Sequence, residues 1–123
     1  EGGRLPPALR AQVKQLEEDQ KRRATRMKRD VLDRAILDLM SLYRDVACVQ
    51  VGADVHLVNE SHRGHIEELA ARSTLADTVR CLDALGEARI RLAGNVAPLL
   101  AIEAMTLALR PLDAGRSAGA ARR

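Results

Sequence analysis

The chain has 123 residues, 20 basic against 17 acidic side chains, two cysteines, one tyrosine and neither tryptophan nor phenylalanine, and 46% of it is apolar. Leucine and alanine supply 38 residues while aromatic and β-branched types are scarce, which excludes a sandwich or barrel and predicts one all-α domain. A net charge of +3 does not by itself mark a nucleic-acid binder, no apolar run approaches the roughly 20 residues of a membrane-spanning helix, and two distant cysteines fit a soluble protein of the reducing cytoplasm.

The opening Glu1-Gly2-Gly3-Arg4 has the character of a linker and does not start with Met, so 1–7 reads as a linker remnant and the chain as a piece of a longer protein. Pro6 and Pro7 suit a helix entrance, where the N–H groups have no intrahelical acceptor. From Ala8 to about Val51 there is no further Pro or Gly. This predicts a first helix of about 40 residues, roughly 60 Å long. Leu9, Val13, Leu16, Gln20, Ala24, Met27 and Val31 form a thin line repeating over eleven residues, which implies a nearly straight rod. From Val31 onward the apolar stripe widens to include Leu32, Ala35, Ile36, Leu39, Met40, Leu42, Tyr43, Val46 and Ala47, with Asp33, Arg34, Asp38, Ser41, Arg44 and Asp45 opposite, so this half should enter the core.

Gly52 ends the first helix, and 53–58 is expected to be a turn. Asn59 or Ser61 is expected to cap a second, short helix over 59–72, and Ser73 to open a third over 74–92, with Glu87 and Arg91 at the favourable i,i+4 spacing. Gly94-Asn95 breaks that helix, with Asn95 as cap of a fourth over 96–110 and Pro98 in its opening turn. The fourth helix is apolar nearly all round: Leu99, Leu100, Ile102, Met105, Leu107 and Leu109 surround it, and only Glu103, Thr106 and Arg110 make a polar strip. Such a helix is expected to be buried, covered by the other three helices or by another subunit. Pro111 ends it, and 111–123 reads as a disordered tail.

Motifs for catalysis are missing. The sequence has no phosphate-binding Gly-rich loop, no dinucleotide fingerprint and no nucleophile elbow. His62 and His65 stand one helical turn apart, with His56, Cys48 and Cys81 as conceivable further zinc ligands, but a closed site needs four converging ligands and the cysteines are better explained by packing, so no metal, cofactor or catalytic residue is predicted. The run from Lys21 to Arg29 holds six cations in nine residues: Lys21, Arg22, Arg23, Arg26, Lys28 and Arg29. These are candidate phosphate contacts, yet Glu17, Glu18, Asp19 and Asp30 flank them and the spacing reads as cations pointing all round a solvated helix. Arg89 falls on the apolar half of the third helix and Glu103 is the only acid of the fourth. A charge among leucines needs a partner, so these two are expected to meet each other or to meet opposite charges across a subunit boundary.

The run Gln20-Lys21-Arg22-Arg23-Ala24-Thr25-Arg26, then Arg29-Asp30-x-Leu32-Asp33-Arg34 and Tyr43-Arg44-Asp45, resembles the delta-prime subunit family of the bacterial DNA polymerase III clamp loader in its actinobacterial form. Downstream, Leu69-Ala70-Ala71-Arg72-Ser73, Ala88-Arg89 and the stretch Asn95-Val96-Ala97-Pro98-Leu99-Leu100-Ala101-Ile102-Glu103-Ala104-Met105 are similar to that family's carboxy-terminal ending. The resemblance covers about residues 12 to 110; Ala97 stands where relatives often carry Asn or Pro, and Ile102 where Leu is common. It implies a helical collar domain, non-catalytic, that packs with delta and the ATPase tau/gamma subunits into the ring supporting sliding-clamp loading, with the motor-type domains lying upstream. Leu99, Leu100, Met105, Arg89 and Glu103 are the candidate interface residues, and the fragment alone is expected to self-associate through them. The alternative is a DNA-contacting helical rod using Lys21 to Arg29.

Overall fold

The computed structural model describes residues 3–111. Among them it is all-α: α1 runs over Pro7–Gln50, α2 over Arg63–Arg72, α3 over Leu75–Ala93 and α4 over Pro98–Ala108, with a single 3-10 turn at Glu60–His62 and no strand. The chain divides into two units, Glu1–Leu32 and Asp33–Arg123, with the boundary inside α1. The expected tail over 111–123 lies outside the described residues beyond Pro111.

In the first unit no described residue is buried. The helix there rests on good helix formers and on local bonds. Arg10 N–H donates to the Pro6 carbonyl, the Gln15 amide reaches Asp19 Oδ1 at 3.3 Å, and the Thr25 hydroxyl donates to the Lys21 carbonyl at 3.0 Å. The thin apolar line is real and uncovered within this unit, with Leu9, Val13, Leu16, Met27 and Val31 all exposed.

In the second unit the wide stripe enters the core only in part: Ile36 and Val46 are buried, most of the rest is half-buried, and Ala35, like Val31 before it, stays exposed. Ile36 and Val46 of α1 are buried together with Leu57 and Ile66, and Val46, Leu57 and Ile66 form a cluster packed by Leu42, Cys48, Val49, Leu69 and Ala70. On α3 the buried positions are Thr78, Cys81, Leu85, Ala88 and Leu92, the 3–4 spacing of one helix face. Gly52, at φ +67, stops α1 in the left-handed region that costs glycine nothing, and its N–H bonds to the Val49 carbonyl.

Two polar hubs close this unit, and neither was expected. Asp45, placed on the polar side by its spacing, is completely buried. Its carboxylate accepts from Val58 N–H at 3.0 Å, Asn59 N–H at 2.7 Å, the Asn59 side-chain amide at 3.0 Å and Arg44 Nη1 at 2.9 Å, so the 53–62 connection is tied onto α1. Gln50, in the last turn of α1, donates to the Ser73 carbonyl and hydroxyl, both at 3.1 Å, and accepts from the buried Thr78 hydroxyl at 2.7 Å. It thereby fixes the junction of α2 and α3.

The expected caps shift. Neither Asn59 nor Ser61 caps α2, because Asn59 spends its side chain on Asp45 and Ser41; the residue before α2 is His62, with no side-chain cap bond. Ser73 closes α2 by donating to the Leu69 carbonyl, while Thr74 opens α3 in a capping box with Asp77. The fourth helix is shorter than the expected 96–110 and is entered from Ala97 with no side-chain cap bond, so Asn95 plays no capping part. Pro98 at its first position supplies the preset φ instead.

Candidate functional site

α4 packs against α3 and buries only Ala101 and Met105. Arg80 of α3 finishes the contact: its guanidinium donates to the Ala108 carbonyl and, at 3.4 Å, to the Arg110 carbonyl, satisfying groups that the helix end leaves without partners. Of the two covers expected for α4, the other three helices do not supply it among the described residues; cover by another subunit is the alternative that stays open. Leu99 is 69% exposed, Leu100 60% and Leu107 60%. An eleven-residue helix lying on one neighbour hides one side, and the small residues, with Met105, take that side.

At 100° per residue, Leu99, Leu100, Glu103 and Leu107 share the outward arc of α4. Glu103 sits within it, exposed, with no cation inside ion-pair distance among the described residues. The result is a leucine surface with one carboxylate near its middle. Exposed apolar area of this kind on neighbouring turns is what interaction surfaces show.

The Arg89–Glu103 pair does not form. Arg89 instead grips Asp33 of α1, Nε to Oδ1 at 2.7 Å and Nη2 to Oδ2 at 3.3 Å. The reason is geometric: α3 turns its buried face with Arg89 toward α1, whereas the outward arc of α4 carries Glu103 away from it. The Arg89 hydrogen bond, reinforced by its charge, holds the Asp33 carboxyl below the usual carboxylate range. The expected Glu87–Arg91 pair does form, at 2.8 Å.

A second apolar surface lies between α1 and α3. Leu37 and Met40 of α1 with Leu82, Gly86 and Ile90 of α3 line an open groove bordered by Ser41, Arg44, Asp83 and Glu87. Ile90 is 74% exposed. The sequence singled out none of these as interface residues; the signal available was that Val79, Ile90 and Leu82 lie off the narrow arc of Cys81, Leu85, Ala88 and Leu92.

Within the first unit, Lys21, Arg22, Thr25, Arg26 and Arg29 line one shallow concavity. The reading of cations spread all round the helix is corrected for these four: steps of one, four and three residues keep Lys21, Arg22, Arg26 and Arg29 inside an arc of about 140°. Arg23 and Lys28 lie outside it. The Arg29 Nε atom is buried without a hydrogen-bond partner.

His56, His62 and His65 are exposed, Cys48 is half-buried and Cys81 buried, and no three metal-ligating side chains converge among the described residues. Tyr43 is half-buried beside Cys81; burial and the neighbouring thiol push its hydroxyl pKa upward. No helix of the described residues is long and apolar enough to cross a membrane. Comparison with protein-family models, with curated proteins and with solved structures gives no match.

Proposed function

We propose that this chain is a non-catalytic assembly module that acts through the uncovered face of α4. The single observation supporting this is the cluster of Leu99, Leu100 and Leu107, exposed among the described residues. Burying a leucine side chain is worth about 2 kcal/mol, so three on adjacent turns supply a substantial part of an interface core once a partner covers them. Glu103 among them selects a partner that offers Lys or Arg at the matching point, because a carboxylate closed under an apolar surface without a cation is costly. The open groove between α1 and α3 gives the same body a second place to be packed.

The resemblance in sequence names the setting: a collar domain of the clamp-loader delta-prime type, working in the cytoplasm and held between delta and the tau/gamma ATPase subunits during DNA replication. Two separate apolar surfaces suit a subunit that sits between neighbours in a ring. The test is to mix the chain with those subunits and measure the mass of the complex by light scattering. The expected result is incorporation by the unaltered chain and its loss in Leu100→Asp. A chain that stays alone in every mixture overturns the proposal.

A further inference from the structure

The basic run on the first unit is not absorbed by that reading, and its side chains are placed for a task of their own. From Gln20 to Arg29 there are six cations and no carboxylate. Among the described residues, the ion pairs within 4.0 Å all use Arg34, Arg44, Arg63, Arg72, Arg89 and Arg91; none uses a cation of this run. None of the flanking acids lies within ion-pair distance of it, although Glu18 stands one turn before Lys21 and Arg22 on the same arc. Asp19 is engaged by Gln15, and Glu17, Glu18 and Asp30 make no ion pair. The contrast matters because the arginines of the second unit, exposed ones included, mostly find a carboxylate or, as Arg80 does, helix carbonyls.

We infer that the edge formed by Lys21, Arg22, Arg26 and Arg29 binds the phosphodiester backbone of duplex DNA without reading its sequence. Four cations share one arc around a concavity floored by Thr25, whose hydroxyl is turned inward to the Lys21 carbonyl. From Lys21 to Arg29 the helix rises about 12 Å, which along the axis of a duplex corresponds to roughly three phosphates of one strand.

Recognition by base stacking is not supported, since the first unit has no aromatic residue and the chain's one tyrosine is half-buried in the other unit. A bilayer surface is also disfavoured. An in-plane helix needs apolar side chains beneath its cations, yet the apolar line is interrupted by Gln20 and Ala24 at the level of Lys21 to Arg26.

The test uses the full chain and a fluorescently labelled duplex of mixed sequence, with affinity measured by anisotropy between 50 and 200 mM salt. Four backbone contacts predict a log–log slope near −3.6 and a roughly hundredfold loss across that range. In the Arg22→Ala/Arg26→Ala/Arg29→Ala variant the slope should shrink to about −1. Alanine is the best helix former, so this variant keeps its helix, and circular dichroism checks it. Arg63→Ala/Arg72→Ala, removing cations that are already paired, should leave the slope unchanged, as should Leu100→Asp, so that failure here and failure of the assembly reading are seen separately. Absence of binding at 50 mM salt, an unchanged slope in the triple variant, or binding to phosphatidylserine vesicles in preference to the duplex overturns the inference.

Discussion

The Asp45 carboxylate accepts the backbone N–H of Asn59 at 2.7 Å across fourteen residues of chain. With Val58 N–H and the Asn59 amide on the same group, one buried acid organises a connection whose only regular piece is the 3-10 turn Glu60–His62. Asp45→Ala removes a fully buried acceptor shared by two backbone donors and an amide, and should cost about 2 kcal/mol of stability. Asp45→Asn, which keeps the shape and one acceptor oxygen, should cost less. Urea denaturation followed by circular dichroism measures both.

The same group makes stability depend on acid. Burial alone would push the Asp45 carboxyl up, but the N–H groups of Asn59 and Val58, the Asn59 amide and Arg44 outweigh it and hold it below the usual value. Asp33 and Asp77 are also lowered, by Arg89 and by the Thr74 cap. A depressed folded value means stabilisation that is fully present above the unfolded carboxylate pKa of about 4 and is lost as pH falls through the folded values. The melting temperature should be flat between pH 5 and 7 for these groups and fall steeply below about 4. In Asp45→Asn the acid limb of that curve should be shallower.

On α4, exposure separates folding from assembly. Leu100→Asp touches a side chain already in water, so thermal unfolding of the isolated chain should move little. Ala101→Asp forces a carboxylate into the fully buried contact with α3 and should cost several kcal/mol. Glu103→Lys should leave folding intact and weaken assembly at least tenfold by setting like charges together. Scanning calorimetry and complex mass, measured on the same three variants, separate the two effects.

Gly86 sits in the middle of α3 with open space where a Cβ would point. Gly86→Ala should therefore stabilise the isolated chain by about 1 kcal/mol, the ordinary cost of glycine in a helix interior. If the groove it lines receives a neighbour, the added methyl should lower complex yield while raising the melting temperature.

The helices were legible because their boundaries are written in Pro, Gly and hydrophobic spacing: Pro7 and Gly52 bracket α1, and α3 shows one apolar face. The all-α architecture follows from that spacing. Asp45 was misplaced because periodicity sees only which side of a helix a residue occupies; it does not see that a loop returns to cover that side. Arg89 was rightly marked as a charge needing a partner, but Asp33 lies 56 residues away and Glu103 was nearer in sequence. For α4, composition reported a surplus of leucine and was silent on how many neighbours share it. The shared arc of Lys21, Arg22, Arg26 and Arg29 was within reach of the helical angles and was obscured by counting Arg23 and Lys28 with them.

The Gln50 side chain joins the last turn of α1 to Ser73 and Thr78, across 23 and 28 residues of chain. Among the described residues α4 has no comparable hydrogen-bonded fastening to α1; its polar tie is Arg80, which binds the Ala108 and Arg110 carbonyls at the carboxy-terminal end of the helix, away from Leu99 and Leu100. Amide hydrogens of α4 should accordingly exchange with deuterium ahead of those in α3, as a separately opening segment. A partner that covers Leu99, Leu100 and Leu107 would slow that exchange, so the last helix reports occupancy of its outer face by the lifetime of its own backbone bonds.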